Sequence, residues 1–324
     1  MKECTEAGGG RGVPKLPEII CMGCARAIPS REYRPAKNGG PPRATNYESC
    51  YRRCEACGFG YSNADHGNSA ALTIVYRDPN WDVPEFIASG YTKVLETALN
   101  QGNRTSKLQK FSSSNSEDLV TWTIFRHLIG TGELGTLARQ VGIVSGEANE
   151  PDVLLWGVPI NSRTRLRRVV IAELDSLGES PERRSEPDVI LDFDKSGLIF
   201  IEVKLRSSND AGEPSSSKWK RYLHDSEAFS DAEKARETGL YELVRNWRIL
   251  CDIAHGRPAM LVNLGPDELW SGESGARIRR FEEALAINPT RRFLKVSWES
   301  FIAAIPHKPL WLRRYLEDRL VCSH

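Results

Sequence analysis

Net charge is nearly missing from this chain: 44 Lys and Arg stand against 43 Asp and Glu, leaving a formal +1 over 324 residues. That balance argues against a histone-like or generally sticky binder. Any nucleic-acid surface must be local, with acids gathered elsewhere. Long apolar runs are missing too. No stretch reaches the length of a membrane span, so no membrane partner is expected. Met1–Gly12 lacks the apolar core of a signal peptide, which leads us to expect a cytoplasmic protein. The length corresponds to about two domains.

Cysteine is sparse but patterned. Cys4, Cys251 and Cys322 have no obvious partners, whereas Cys21-x-x-Cys24 and Cys54-x-x-Cys57 form two pairs about thirty residues apart. With no sign of export, such pairs read as metal ligands in a reducing compartment rather than as disulfides. Thiolates at this spacing can close a tetrahedral Zn²⁺ site, and a closed four-sulfur site is structural. The pattern resembles a zinc ribbon with two knuckles, with Cys50 and His66 as alternative ligands. Arg26, Arg31, Arg34, Lys37, Arg43, Arg52 and Arg53 surround the knuckles, interleaved with Tyr33, Tyr47, Tyr51 and Tyr61. Basic and aromatic side chains on a small scaffold suit phosphate contact and base stacking; a solvated ribbon surface would look the same.

Pro187-Asp188-Val189-Ile190-Leu191 and Ile201-Glu202-Val203-Lys204 read as two apolar strands joined by the polar turn Asp194-Lys195-Ser196-Gly197. Charge on such strands calls for a reason, because a buried unpaired charge is costly. Placing Phe193 opposite Leu198 pairs Leu191 with Phe200, Val189 with Glu202 and Asp188 with Val203. Glu202 and Lys204, two apart, share a face, and Asp188 lies beside them at the strand end. Two acids and a lysine gathered so can hold a divalent metal and activate a water next to a phosphodiester.

Pro187-Asp188 and Glu202-x-Lys204 resemble the two motif halves of the PD-(D/E)xK superfamily, the restriction-endonuclease-like nucleases. The context carries weight: a helix is expected at about Glu117–Ile129, a strand at Val153–Val158, the hairpin, a helix at about Ala232–Ala254 and a strand at Ala259–Leu264. That follows the family's core order αβββαβ. The resemblance implies an α/β fold, a mixed central sheet flanked by helices, preceded by the zinc ribbon. It further implies Mg²⁺ or Mn²⁺ held by Asp188, Glu202 and the main-chain carbonyl of Val203, with Lys204 orienting the attacking water or stabilising the transition state. Cleavage of DNA would leave a 5′-phosphate and a 3′-hydroxyl; RNA or branched DNA are alternative substrates, and an inactive nucleic-acid-binding adaptor is the rival reading. Family members often act as homodimers. Many carry a glutamate on the first core helix, for which Glu117 is the candidate and Asp118 the alternative. Ser114-x-x-Glu117 also reads as a capping box.

Residues 1–16 are expected to be disordered, 17–66 to form the ribbon, 67–114 a helical linker with its helix within Asp78–Gln101, and 115–324 the nuclease-like domain. Arg163, Arg165, Arg167 and Arg168 precede the apolar face of a helix reaching about Leu177. With Lys218, Lys220 and Arg221 they are candidates for phosphate positioning, contacts that carry no sequence information. Ser207–Ser217 is a polar loop placed to cover the site. Gly130-x-Gly132-x-x-Gly135 follows a helix rather than a strand, so it reads as helix termination and not as a dinucleotide fingerprint. Cys251-x3-His255 lacks a second ligand pair and reads as a buried Cys near a helix end.

Overall fold

The computed structural model describes residues 13–68, 72–78, 83, 111–142, 150–160, 165–181, 184, 186–209, 212–213, 216–224 and 226–320. These fall into two compact units. One comprises the described residues up to Asp78 together with 111–115, and the other holds Val83 and 116–320.

The first unit is built from very short strands. β1 (Lys15–Leu16) pairs with β4 (Arg31–Glu32), and β2 (Ile19–Ile20) with β3 (Ala27–Ile28), both antiparallel. β5 (Arg53–Cys54), β6 (Phe59–Tyr61) and β7 (Ile74–Tyr76) form a three-stranded sheet, and Ser113 bridges to Val75. Lys15 and Leu16 are therefore strand, although they fall in the stretch expected to be disordered. Ile74–Tyr76 and Ser113 join this sheet from within the stretch expected to be a linker. The expected helix within Asp78–Gln101 lies, apart from Asp78 and Val83, outside the described residues. Arg52 is fully buried and donates to the carbonyls of Pro17, Ser62, Ala64 and His66. A set of loops too short to build a large core is thus tied together through one guanidinium, whose rigid donor fork suits several carbonyls at once.

The second unit is α/β, with a mixed six-stranded sheet in the order β13-β12-β11-β10-β8-β9. Its strands are β8 (Asp152–Leu155), β9 (Val158–Pro159), β10 (Val189–Asp192), β11 (Leu198–Val203), β12 (Ala259–Gly265) and β13 (Arg291–Ser297). β8–β9, β8–β10 and β10–β11 pair antiparallel, whereas β11–β12 and β12–β13 pair parallel. The helices are α1 (Glu117–Thr131), α2 (Leu134–Gln140), α3 (Arg165–Ser176), α4 (Lys220–Leu223), α5 (Ala232–Glu237), α6 (Tyr241–Ala254), α7 (Gly272–Ala284), α8 (Trp298–Ala303) and α9 (Leu310–Leu320). The stretch expected as one strand over 153–158 breaks at Trp156-Gly157, both with positive φ, and folds back as the β8–β9 hairpin. The helix expected over 232–254 is interrupted by Thr238-Gly239-Leu240, with Gly239 at φ +70°, so α5 and α6 are separate.

One sheet face and α6 share a core. Ile190, Leu198, Phe200 and Leu261 pack with Leu243, Trp247 and Leu250 of α6 and with Leu166, Val170 and Leu174 of α3. Alternation along β11 sends Ile199, Ile201 and Val203 to the opposite face and places Glu202 beneath α6.

The hairpin register differs by one residue from the expected pairing. Leu191 faces Ile199 rather than Phe200, and the last rung is Asp192 with Leu198, leaving the five-residue loop Phe193–Gly197. Three features lengthen the turn. The Asp192 carboxylate accepts from the Asp194 N–H at 2.9 Å, Asp194 adopts φ +54°, and Gly197 adopts φ +151°. Arg257 then binds both Asp192 Oδ1 and the Asp194 carbonyl. The ladder ends at Val189–Ile201; continued by one rung, this register would set Asp188 across from Glu202. The conformation of Gly197 is closed to other residues, so Gly197→Ala should cost about 1–3 kcal/mol, read as a lower urea midpoint for the full chain at unchanged slope. An unchanged midpoint would show that the turn does not set the register.

Candidate active site and metal centre

Asp188, Glu202 and Lys204 come together as the sequence motif anticipates. Lys204 Nζ donates to Glu202 Oε1 at 2.8 Å, and Asp188 Oδ2 accepts from the Val203 N–H at 2.9 Å, where the β10–β11 ladder has ended. Glu202 is 4% exposed and Lys204 6%. Burial at that level demands partners, and α6 supplies them. Glu242 Oε2 accepts from Lys204 Nζ at 2.6 Å, while Asn246 Nδ2 donates to Glu202 Oε2 at 2.8 Å. Arg245, also buried, donates through Nε to Asn246 Oδ1 at 3.0 Å. Glu242, Arg245 and Asn246 follow the i, i+3, i+4 spacing that puts them on one helix face.

Burial opposes a charged Lys204, but the carboxylates of Glu202, Glu242 and Asp188 outweigh it and hold the ammonium's pKa above its ordinary value. Burial likewise raises Glu242, and Lys204 with Arg245 more than reverse the effect, so that carboxyl is depressed. Glu202 is pushed up by burial, against the pull of Lys204 and Arg245. Arg245 is raised: burial is opposed by Glu202 and Glu242 first, then by Tyr222 and Glu179. Tyr222 in turn donates to Glu179, and both are buried. Glu202, Glu242 and Asp188 thus face Lys204, and Glu202, Glu242 and Glu179 face Arg245, so acids and cations form one connected network.

Glu117 reaches this region in a different manner from the capping box its spacing allows. Ser116, not Ser114, caps α1 by accepting from the Leu119 N–H, and the Ser114 hydroxyl accepts from Ile74 N–H instead. Glu117 Oε1 accepts from the Leu205 N–H at 2.8 Å and from the N–H and hydroxyl of Ser207. It anchors the chain immediately after Lys204. The described part of the polar loop that follows is held as well: Asn209 and Asn263 exchange reciprocal amide hydrogen bonds, and Trp270 Nε1 also donates to Asn263 Oδ1.

Arg165 lies elsewhere. With Glu150, Asp152, Asp192, Asp194, His255 and Arg257 it lines a cleft of about 930 Å³ at the turn end of the hairpin, away from Asp188 and Glu202. Arg167 is partly exposed on α3, Lys218 is exposed before α4, and Arg163 lies outside the described residues. Gly132 caps α1 in a left-handed conformation, and Cys251 is buried in α6 with His255 as its left-handed C-cap, as the helix-end readings require.

In the first unit Cys21, Cys24, Cys54 and Cys57 place their sulfurs within 4.8 Å of one another and are positioned to bind a metal ion. Sγ–Sγ separations of 3.2 Å for Cys21–Cys57, 3.5 Å for Cys24–Cys54 and 3.9 Å for Cys24–Cys57 bracket the about 3.8 Å edge of a tetrahedral zinc–thiolate site. Each pair sits on a tight turn: Ala25 N–H returns to the Cys21 carbonyl and Gly58 N–H to that of Cys54, with φ +57° at Ala25 and +69° at Gly58. Tyr61 OH donates to Cys21 Sγ and accepts from the Met22 N–H. Burial raises the Cys21 thiol, but hydrogen bonds from Tyr61 and Cys57 and from the Gly23 and Cys24 backbone bring it down to about 6. Cys50 is not part of the cluster; its sulfur turns to the Asn46 carbonyl, and burial pushes its thiol up to about 12. His66 likewise lies outside it. Of the basic and aromatic residues around the knuckles, Arg52, Tyr33, Tyr47 and Tyr61 are interior, and Arg53 pairs with Glu48, so Arg26, Arg31, Arg34, Lys37 and Arg43 make up the exposed basic set.

Two outcomes follow. Lys204→Ala takes from Glu202 and Glu242 the ammonium that is hydrogen-bonded to both and should destabilise the protein by about 3–5 kcal/mol, measured by urea unfolding followed by tryptophan fluorescence. A change under about 1 kcal/mol would contradict the buried pairing. Cys54→Ser should remove stoichiometric metal from the purified protein by elemental analysis, whereas Cys50→Ser should keep it.

No family model matches the chain, and neither the curated proteins nor the solved structures contain a significant match. Among the described residues, no helix is long and apolar enough to cross a membrane.

Proposed function

We propose that this chain is a metal-dependent endonuclease that hydrolyses DNA phosphodiester bonds, with a restriction-endonuclease-like second unit and a zinc-bound ribbon as its first. The observation that carries this reading is the gathering of Asp188, Glu202 and Lys204 at the open end of the β10–β11 hairpin, where Asp188 accepts from the Val203 N–H and Lys204 donates to Glu202. The order α1, β8, β10, β11, α6, β12 supports it as well, with β10–β11 antiparallel and β11–β12 parallel. The four-sulfur cluster supports a structural zinc.

Asp188 and Glu202, with the Val203 carbonyl, would hold Mg²⁺ or Mn²⁺, since hard oxygen donors suit such an ion. A bound ion of this kind supplies a water of lowered pKa and neutralises charge on the phosphate. Lys204 has three N–H donors, of which Glu202 and Glu242 take two. The third would be given to a phosphate oxygen or to the attacking water. Glu117, through Leu205 and Ser207, fixes the backbone that follows the lysine.

The burial of Glu202 and Lys204 favours the second reading, a nucleic-acid-binding adaptor whose paired charges are structural. Cleavage separates the two. Supercoiled DNA, a branched duplex and single-stranded RNA are incubated with the protein and Mg²⁺, beside EDTA and Asp188→Asn, which keeps the size of the side chain. The nuclease reading expects Mg²⁺-dependent nicking of DNA that both controls abolish. Nicking that survives Asp188→Asn overturns the site assignment, and binding without cleavage of any substrate leaves the adaptor.

A further inference from the structure

α6 presents a polar face where an amphipathic helix over a sheet would present apolar side chains. Its first turn places Glu242 on Lys204 at 2.6 Å, and Asn246 reaches Glu202 Oε2 at 2.8 Å. The orientation of Asn246 follows from its neighbour: Arg245 Nε donates to Oδ1, which turns the amide N–H toward Glu202. Both oxygens of Glu202 thereby have a donor, one from the sheet and one from the helix.

The charge distribution gives Glu242 a particular task. With Glu202 as its only partner, the Lys204 ammonium would neutralise that carboxylate, and a cation arriving at Glu202 would meet a like charge a few ångströms away. Glu242 shares the ammonium. Its side chain is 31% exposed, against 5% for Glu202, so its charge is the less costly of the two to keep. The groups around Lys204 are Glu202 on β11, Asp188 before β10, and Glu242 on α6. Arg245 faces the same carboxylates from the helix and is itself met by Glu179 and Tyr222.

We infer that Glu242, backed by Arg245 and Asn246 on one face of α6, is a positioning residue that shares the Lys204 ammonium with Glu202, so that the lysine alone does not neutralise Glu202 and Glu202 can hold a divalent cation. This rests on the nuclease reading for its purpose but not for its test. Groups one step behind a metal's ligands alter affinity or activity by about tenfold to a hundredfold.

Mn²⁺ binding is measured by calorimetry on the full zinc-loaded chain without nucleic acid, for wild type, Glu242→Gln, Glu242→Asp and the surface control Glu282→Gln. Thermal unfolding is recorded for each. Glu242→Gln is expected to weaken Mn²⁺ binding about tenfold to a hundredfold, while Glu242→Asp, which keeps the charge, stays within about threefold of wild type. On DNA, Glu242→Gln should lower kcat and leave KM unchanged or reduced, because it removes a negative charge. Equal Mn²⁺ affinity in wild type and Glu242→Gln overturns the inference, and so does equal loss in the Gln and Asp variants, which marks a structural role. Should Glu242→Gln fail to fold, Asn246→Ser serves in its place with the same expected loss. If wild type binds Mn²⁺ and the variants behave as expected but nothing is cleaved, the nuclease reading falls and the positioning role stands. If wild type binds no Mn²⁺, the inference is overturned.

Discussion

A lysine ammonium placed under a helix, in a sheet face otherwise filled by leucine and phenylalanine, constrains everything around it. Lys204 cannot be buried alone, and Glu202 cannot be buried without Lys204. Each needs the other, and the pair together still needs α6. Hence the helix over β11 cannot be uniformly apolar. It carries Leu243, Trp247 and Leu250 toward the core and Glu242, Arg245 and Asn246 toward the charges. Glu117 and Trp298 extend the same constraint along the backbone. One holds Leu205 and Ser207, the other donates its indole N–H to the Lys204 carbonyl. The segment from Val203 to Ser207 is thus pinned from β10, α1 and α8.

Such a set of paired charges is weak evidence for stability, since a well-packed apolar core would serve as well or better. Its meaning lies in the arrangement, in which carboxylates from the hairpin and from α6 gather around one buried ammonium.

Much of this was legible in the sequence. The hairpin stands out because charges interrupt apolar strands, and the cysteine pairs because their spacing has few other uses. α1 begins at Glu117, where the sequence places it, and α3 ends at Ser176, next to the expected Leu177. Other features were not legible, for identifiable reasons. A four-residue and a five-residue turn have nearly the same composition here, and the choice depends on the left-handed Asp194 and on Arg257, sixty residues away. Ser114 and Ser116 are equally good caps by type, and only packing decides that Ser114 serves Ile74. Glu242, Arg245 and Asn246 look like the wet side of an amphipathic helix, because i, i+3, i+4 spacing of charges is what a solvated face also shows. Arg52 reads as one more surface arginine until four carbonyls surround it.

The central claim is that Asp188 and Glu202 are a divalent-cation site. Crystals of the zinc-loaded protein soaked in Mn²⁺, with anomalous diffraction recorded on both sides of the manganese edge, test it most directly. The account predicts a manganese peak between the Asp188 and Glu202 carboxylates, distinct from the zinc peak among the four cysteines. A zinc peak in the ribbon, with no manganese at Asp188 and Glu202 at millimolar soak, would contradict it.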